Sequence, residues 1–131
     1  MNRQTFLPLL FVLCLWVSCG NRPAPEELAG KAAKDYYDRL VAGDYEAFLC
    51  GRAGADSLPA DYRRQLLKAY EHYIRKQEKL HGGIVEVTFS NAKSDTLQHI
   101  VQAFLHLTFR DSLKEEIVVP MTEHNGRWYM K

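Results

Sequence analysis

Hydrophobic positions first recur with a helical period and later with a period of two, and this change divides the chain. Leu28, Ala32, Tyr36 and Leu40 repeat every four residues, with Ala29, Ala33, Tyr37 and Val41 beside them, which predicts a helix from about Pro25 to Ala42. Pro25 suits its first turn, Glu26 and Glu27 suit the positive end of its dipole, and Gly43 suits its stop. Asp44 is placed to cap a short helix through Leu49. A third helix is expected from about Pro59 to His81, capped by Asp56 or Ser57 and ended by Gly82-Gly83. Its buried stripe is expected to be Tyr62, Leu66, Ala69, Tyr70, Tyr73 and Leu80, leaving Arg63, Arg64, Arg75, Lys76 and Lys79 on a solvated face.

After Gly83 the period becomes two. Val85, Val87 and Phe89 alternate with polar residues as a half-buried strand. Val101, Ala103, Leu105, Leu107 and Phe109 share one face of a longer strand. A helix over 96–107 competes there, because Ile100, Val101, Phe104 and Leu105 also fit its period. The strand is preferred because Ile117, Val119 and Met121 alternate in a following strand that needs a partner. Asn125-Gly126 marks a two-residue hairpin turn, which pairs His124 with Arg127, Glu123 with Trp128 and Met121 with Met130. A three-residue loop at Asp111-Ser112-Leu113 would set Leu107 opposite Ile117 and Leu105 opposite Val119. Pro120, which has no N–H, should point away from the core where no ladder bond is lost. The expected fold is α+β: N-terminal helices packed on one face of a curved antiparallel sheet of about four strands.

The start of the chain is of another kind. Arg3 precedes an apolar run from Phe6 to Val17, too short for the roughly 20 residues of a bilayer-spanning helix and right for a secretory h-region. Val17-Ser18-Cys19-Gly20 resembles the bacterial lipobox, with Trp16 where Leu is usual; the resemblance implies cleavage before Cys19 and its acylation. The ordinary signal peptidase would want a small residue at position 16. Three stretches follow: a lipoprotein signal peptide over 1–18, the lipidated Cys19 and a tether over 19–25, and one α+β domain over 26–131. The prolines of the tether favour extended backbone and a reach on the order of 20 Å. The expected location is the bacterial cell envelope, with the outer membrane as the anchoring surface.

Composition narrows the function. Lys+Arg 17 against Asp+Glu 16 gives no basic excess, and removing the signal takes away Arg3 and no acid, so the charges then balance. Nucleic acid is therefore disfavoured as a partner. Of the three cysteines, Cys14 leaves with the signal and Cys19 is acylated, so Cys50 stands alone; beside Phe48-Leu49 it is expected to be a buried free thiol. The histidines His72, His81, His99, His106 and His124 form no metal-ligand spacing, and no cofactor fingerprint occurs, so neither a metal nor a cofactor is expected.

The element order, together with the run Tyr36 to Tyr45 and the terminal Asn125-Gly126-Arg127-Trp128-Tyr129, resembles the nuclear-transport-factor-2-like (cystatin-like) superfamily. Within it the chain is similar to small bacterial lipoproteins of domain of unknown function 4878. The resemblance implies the fold, and leaves open isomerases, dehydratases, adaptors and binding modules. Superfamily enzymes of the isomerase or dehydratase kind use a carboxylate or histidine base inside the cone between helices and sheet, often with a tyrosine donor. Here Tyr36, Tyr37, Tyr70 and Tyr73 are available as donors, or as large core fillers, and only His99 and Glu123 approach the role of base. No residue is assigned as catalytic. The expected pocket lining is Tyr36, Tyr73, Leu105, Leu107, Val119, Met121 and Trp128. The leading reading is an anchored, non-enzymatic binding module for an envelope protein or a small apolar ligand. An acid–base enzyme and a structural domain that self-associates, as a dimer through the sheet face bearing Phe104, are the alternatives.

Overall fold

The computed structural model describes residues 22–131; the signal peptide expected over 1–18 and Cys19 lie outside them. Helix α1 (Pro25–Val41) is followed by α2 (Tyr45–Cys50), a single 3₁₀ turn (Ala55–Ser57) and α3 (Ala60–His81). Strands β1 (Ile84–Asp95), β2 (Ile100–Phe109), β3 (Lys114–His124) and β4 (Arg127–Met130) then form an antiparallel meander in chain order. This is the α+β arrangement the periodicity predicts. Among the described residues no helix is long and apolar enough to cross a membrane.

The core lies between α1 and the inner face of the sheet. Val101, Ala103, Leu105, Leu107 and Phe109 are all buried along β2, which settles the strand against the competing helix. Val119 and Met121 of β3 and Met130 of β4 join them, covered by Ala29, Ala33 and Leu40 of α1 and Phe48 of α2. Gly30 is also buried on α1, because the Phe89 ring occupies the space a side chain there would fill. Leu28, expected in the stripe, is 41% exposed, since the buried face of α1 runs through Ala29, Ala33 and Leu40 and Leu28 lies about 100° to one side of it.

Two turns illustrate how register is set. Asn125 (φ 50°) and Gly126 (φ 78°) both take left-handed backbone, as a two-residue hairpin of this kind requires. They give His124–Arg127, Glu123–Trp128 and Met121–Met130, the pairs expected. Between β2 and β3 the expected parity holds but the register differs by two residues: Leu105 faces Ile117, Leu107 faces Glu115 and Ala103 faces Val119. The reason is the loop, which is Arg110-Asp111-Ser112, one residue earlier than expected. Ser112 takes the left-handed position (φ 73°), and the Phe109 amide donates to the Leu113 carbonyl at 2.9 Å. Asp111 fixes this loop by accepting from the Leu113 amide (3.0 Å) and pairing with His81 Nδ1 (2.8 Å). The imidazole beside it, with that amide, holds the Asp111 carboxyl below the usual carboxylate range. Pro120 pairs with Gln102 while its carbonyl accepts from Lys131 on the opposite side (2.9 Å). Since N–H and C=O of one residue point the same way in an antiparallel strand, the missing donor faces the end of the β3–β4 ladder and costs β2 nothing.

Other departures have local causes. Val85 is 52% exposed because β1 bulges there, so that Ile84 and Val87 take the inward positions. A second irregularity follows Phe89, and β1 continues beyond it to Asp95, well past the alternation that defined it. Asp44 caps α2 as expected, accepting from the Ala47 amide at 3.1 Å. Asp56 and Ser57 do not cap α3; they lie in the 3₁₀ turn, and Pro59 occupies the cap position through its carbonyl, which accepts from Arg63 N (2.9 Å). The α3 stripe is narrower than its period suggests: Ile74 is buried, Leu66, Tyr70 and Tyr73 are half-buried, and Tyr62, Ala69 and Leu80 are exposed. This helix leans by one side on α2 and β1 instead of lying across the sheet. Gly82 ends it with left-handed backbone (φ 78°), the C-terminal stop that glycine adopts most cheaply.

The free edge of β4 is covered by the segment after α2. Met130 N donates to the Gly51 carbonyl and Ala53 N to the Met130 carbonyl, both at 2.7 Å, which hides an edge that would otherwise invite pairing with another chain. Gly51 is needed for this approach. A Cβ there would lie 2.4 Å from Cδ1 of Tyr36, whose hydroxyl is held at 2.7 Å by the Trp128 carbonyl and so cannot swing away freely. Gly51→Ala is expected to cost about 1–3 kcal/mol by overpacking, read as a lower urea midpoint at unchanged slope. A neutral or stabilising change would contradict this packing.

Candidate functional site

An antiparallel meander brings the end of β1, the start of β2, the end of β3 and the start of β4 to one end of the sheet. There an open groove of about 550 Å³ is lined by Ser94, Asp95, Thr96, His99, Ile100, Val101, Glu123 and Trp128. Ile100 and Val101 are buried and form an apolar floor, and Trp128 is half-buried. Glu123 sits directly across from Trp128 in the β3–β4 pair, on the same face of the sheet.

The rim is shaped by the β1–β2 turn. Asp95 accepts from the amides of Leu97 (3.0 Å) and Gln98 (3.2 Å) through one carboxylate oxygen, and His99 takes left-handed backbone (φ 54°) to bring the chain back into β2. His99 therefore lies in the turn, outside the strand that holds His106. The latter is on the outer sheet face, 2.8 Å from Glu116. His99 and Glu123 are both exposed and line the same groove. At the turn's apex Leu97 is 92% exposed. The N-terminus of α1 meets this end as well, for the Ser94 hydroxyl donates to the Glu26 carboxylate.

The seven residues expected to line a pocket lie in or against the packed core, and of them only Trp128 lines the groove. Leu105, Leu107, Val119 and Met121 are in the buried core, with Tyr36, Tyr73 and Trp128 packed against it; Trp128 extends from there to the groove. The tyrosines behave mainly as core fillers. Burial pushes the Tyr37 hydroxyl up to about 12, with Tyr73 and Tyr70 nearby, and burial also raises Tyr36 and Tyr73. Tyr37 and Tyr70 both meet Phe48 edge-on, at 5.2 and 4.8 Å between ring centres. Tyr36 does more than fill space, because its bond to the Trp128 carbonyl fixes the start of β4, and with it the indole at the groove. Among the described residues no polar or charged side chain is buried.

A second groove, of about 420 Å³, lies on the other side of the β3–β4 hairpin, lined in part by Cys50, Arg52, Asp56, His124 and Tyr129. Cys50 is exposed, against expectation. The buried face of α2 carries Phe48 and Leu49, and the next residue, about 100° further round the helix, points out toward α3. Its sulfur is 3.9 Å from the Arg63 guanidinium, which also pairs with Glu46. Native protein is therefore expected to react with a maleimide about as fast as denatured protein; labelling that waits for unfolding would contradict the exposure.

A solved structure from Campylobacter jejuni, described as an NTF2-like transpeptidase, is similar to this chain with a TM-score of 0.62. The match covers 76% of this chain and 94% of that one, at 10% sequence identity. The fold is nuclear-transport-factor-2-like. No protein-family model and no curated protein matches the chain. At this identity the likeness concerns the fold alone, so the function of this nuclear-transport-factor-2-like domain must be argued from its own residues.

Proposed function

We propose that the protein is a cell-envelope lipoprotein, anchored through acylated Cys19, whose domain is a non-enzymatic binding module with its ligand site in the Trp128 groove. The lipobox-like run Val17-Ser18-Cys19-Gly20, at the end of an apolar run too short to span a bilayer, supports the anchor. The observation that carries the binding reading is the composition of the groove: an indole and two buried aliphatic residues beneath a polar rim at the mouth of an otherwise apolar fold. That is the make-up of a site that binds by apolar contact and orients by a few polar groups.

One observation favours a second reading, an acid–base enzyme: His99 and Glu123 line the same groove. Both are exposed to water, whereas a general acid or base gains most when poised within reach of substrate in a dry site. The transpeptidase description belongs to the Campylobacter protein. Among the described residues the free thiol is Cys50, whose sulfur has Arg63 as its partner and which lies outside the Trp128 groove. The discriminating experiment is turnover of ketosteroid- and dehydratase-type substrates by the wild type, His99→Ala and Glu123→Gln. The binding reading expects no turnover above background in any of them. Turnover by the wild type that either substitution abolishes, with the fold intact, would replace it with the enzyme reading.

A further inference from the structure

We infer that the Trp128 groove faces the membrane in which the chain is anchored and takes the ammonium head of a zwitterionic phospholipid. This rests on the anchored reading above and adds the ligand class and the orientation of the domain.

Orientation follows from where the chain leaves the fold. The Ser94–Glu26 bond ties the start of α1 to the end of β1, and Ser94 is itself part of the groove. From Cys19 to Pro25 only six peptide links intervene, a span of about 20 Å when fully extended. The lipid surface is thus within a tether's length of this end of the domain. Two leucines are exposed there: Leu28 in the first turn of α1 at 41%, and Leu97 at the hairpin apex at 92%. A lone exposed leucine binds a bilayer weakly, but one held beside it acts at high effective concentration.

The ligand class follows from charge. Asp95 and Glu123 are both groove residues, neither forms an ion pair with a basic side chain among the described residues, and Glu123 stands across from the indole. Asp95 spends one oxygen on the turn and keeps the other. A carboxylate across from an aromatic face, with a second on the rim, suits a cation, which the ring quadrupole and the carboxylates attract together. They disfavour an anionic lipid by the same reasoning. A phospholipid ammonium with its glyceryl ester portion against Trp128, Ile100 and Val101 meets both the charge and the apolar floor.

The experiment uses residues 19–131 with Cys19→Ser, in which Trp128 is the one tryptophan, because Trp16 leaves with the signal. Its emission is followed while dihexanoylphosphatidylethanolamine, dihexanoylphosphatidylglycerol or the dipeptide Leu-Lys is added below any micelle threshold. The expected result is a saturable change with the ethanolamine lipid, about tenfold weaker with the glycerol lipid and with Leu-Lys. Glu123→Gln is expected to erase the preference between the two lipids, while Glu86→Gln, on β1 away from the groove, preserves it. Equal response to both lipids would overturn the ammonium assignment and leave an apolar binding site. Tighter binding of Leu-Lys would overturn the lipid in favour of a basic peptide. No response to any probe would overturn both the inference and the groove as a binding site. The acylation of Cys19 is read separately by mass, so failure of the anchor is distinguishable from failure of the groove.

Discussion

Phe109→Ala is expected to lower stability by about 3–5 kcal/mol, a large share of what a domain of this size possesses. Phe109 heads the fully buried side chains by size, at 1% exposure. It closes the core at the end of β2, paired with Ile84 of β1, bonded through its amide to Leu113 and packed beneath His81, whose ring centre is 5.1 Å away. Three elements converge on that ring, so collapse around an alanine would have to move α3, β1 and the β2–β3 loop together. The cavity therefore persists, and its cost adds to the lost burial. Thermal unfolding should show Tm reduced by roughly 12–20 °C. Val85→Ala, at the exposed bulge of β1, should stay within about 0.5 kcal/mol of wild type. A Phe109→Ala protein as stable as the Val85→Ala protein would contradict the placement of the core.

Cys19→Ser is expected to have the largest effect on location. In the wild type the mature protein should begin with a diacyl- or triacyl-glyceryl cysteine and sediment with membranes. Each buried CH₂ contributes about 0.8 kcal/mol, so two or three chains hold where one is marginal. The substitution removes the acyl acceptor, and the described domain carries no helix able to replace it as an anchor. Mass spectrometry of the membrane fraction checks the wild type, and the acyl mass should be absent from Cys19→Ser. A wild-type mature protein that starts at another residue and is recovered soluble would contradict the anchored reading.

The parts of the fold legible in the sequence are those that local chemistry determines. Asn125-Gly126 admits one turn geometry, so the whole β3–β4 register follows by counting, including the Glu123–Trp128 pair at the groove. The β2–β3 loop has no such marker: Ser112 takes the left-handed position that glycine usually announces, and the register consequently lies two residues from expectation. Periodicity identifies α3 but does not say how much of its stripe finds a partner, which is why Leu80 and Tyr62 are exposed. Cys50 shows the same limit at the scale of one residue, since an apolar neighbourhood in sequence is shared by both faces of a short helix.

The groove is half visible in the sequence. Trp128 and Glu123 come from the counted hairpin, and His99 falls near a strand end. Ser94 and Asp95 are hidden because β1 passes through an irregularity after Phe89, which breaks the alternation by which a strand is recognised. The approach of α1 to this end, through Glu26 and Ser94, joins residues 68 positions apart and leaves no trace in sequence pattern. Tyr36 is similar: its helical period marks it as core, and only the fold reveals that it also holds the Trp128 backbone.

The claim that the Trp128 groove is the binding site is tested most directly by the amide and indole N–H resonances of the mature chain on addition of detergent-solubilised envelope lipid. Shifts confined to Trp128, Glu123 and the stretch from Ser94 to Val101 are the predicted result. Shifts centred instead on Cys50, Asp56 and His124, or no shift beyond a detergent blank, would contradict it.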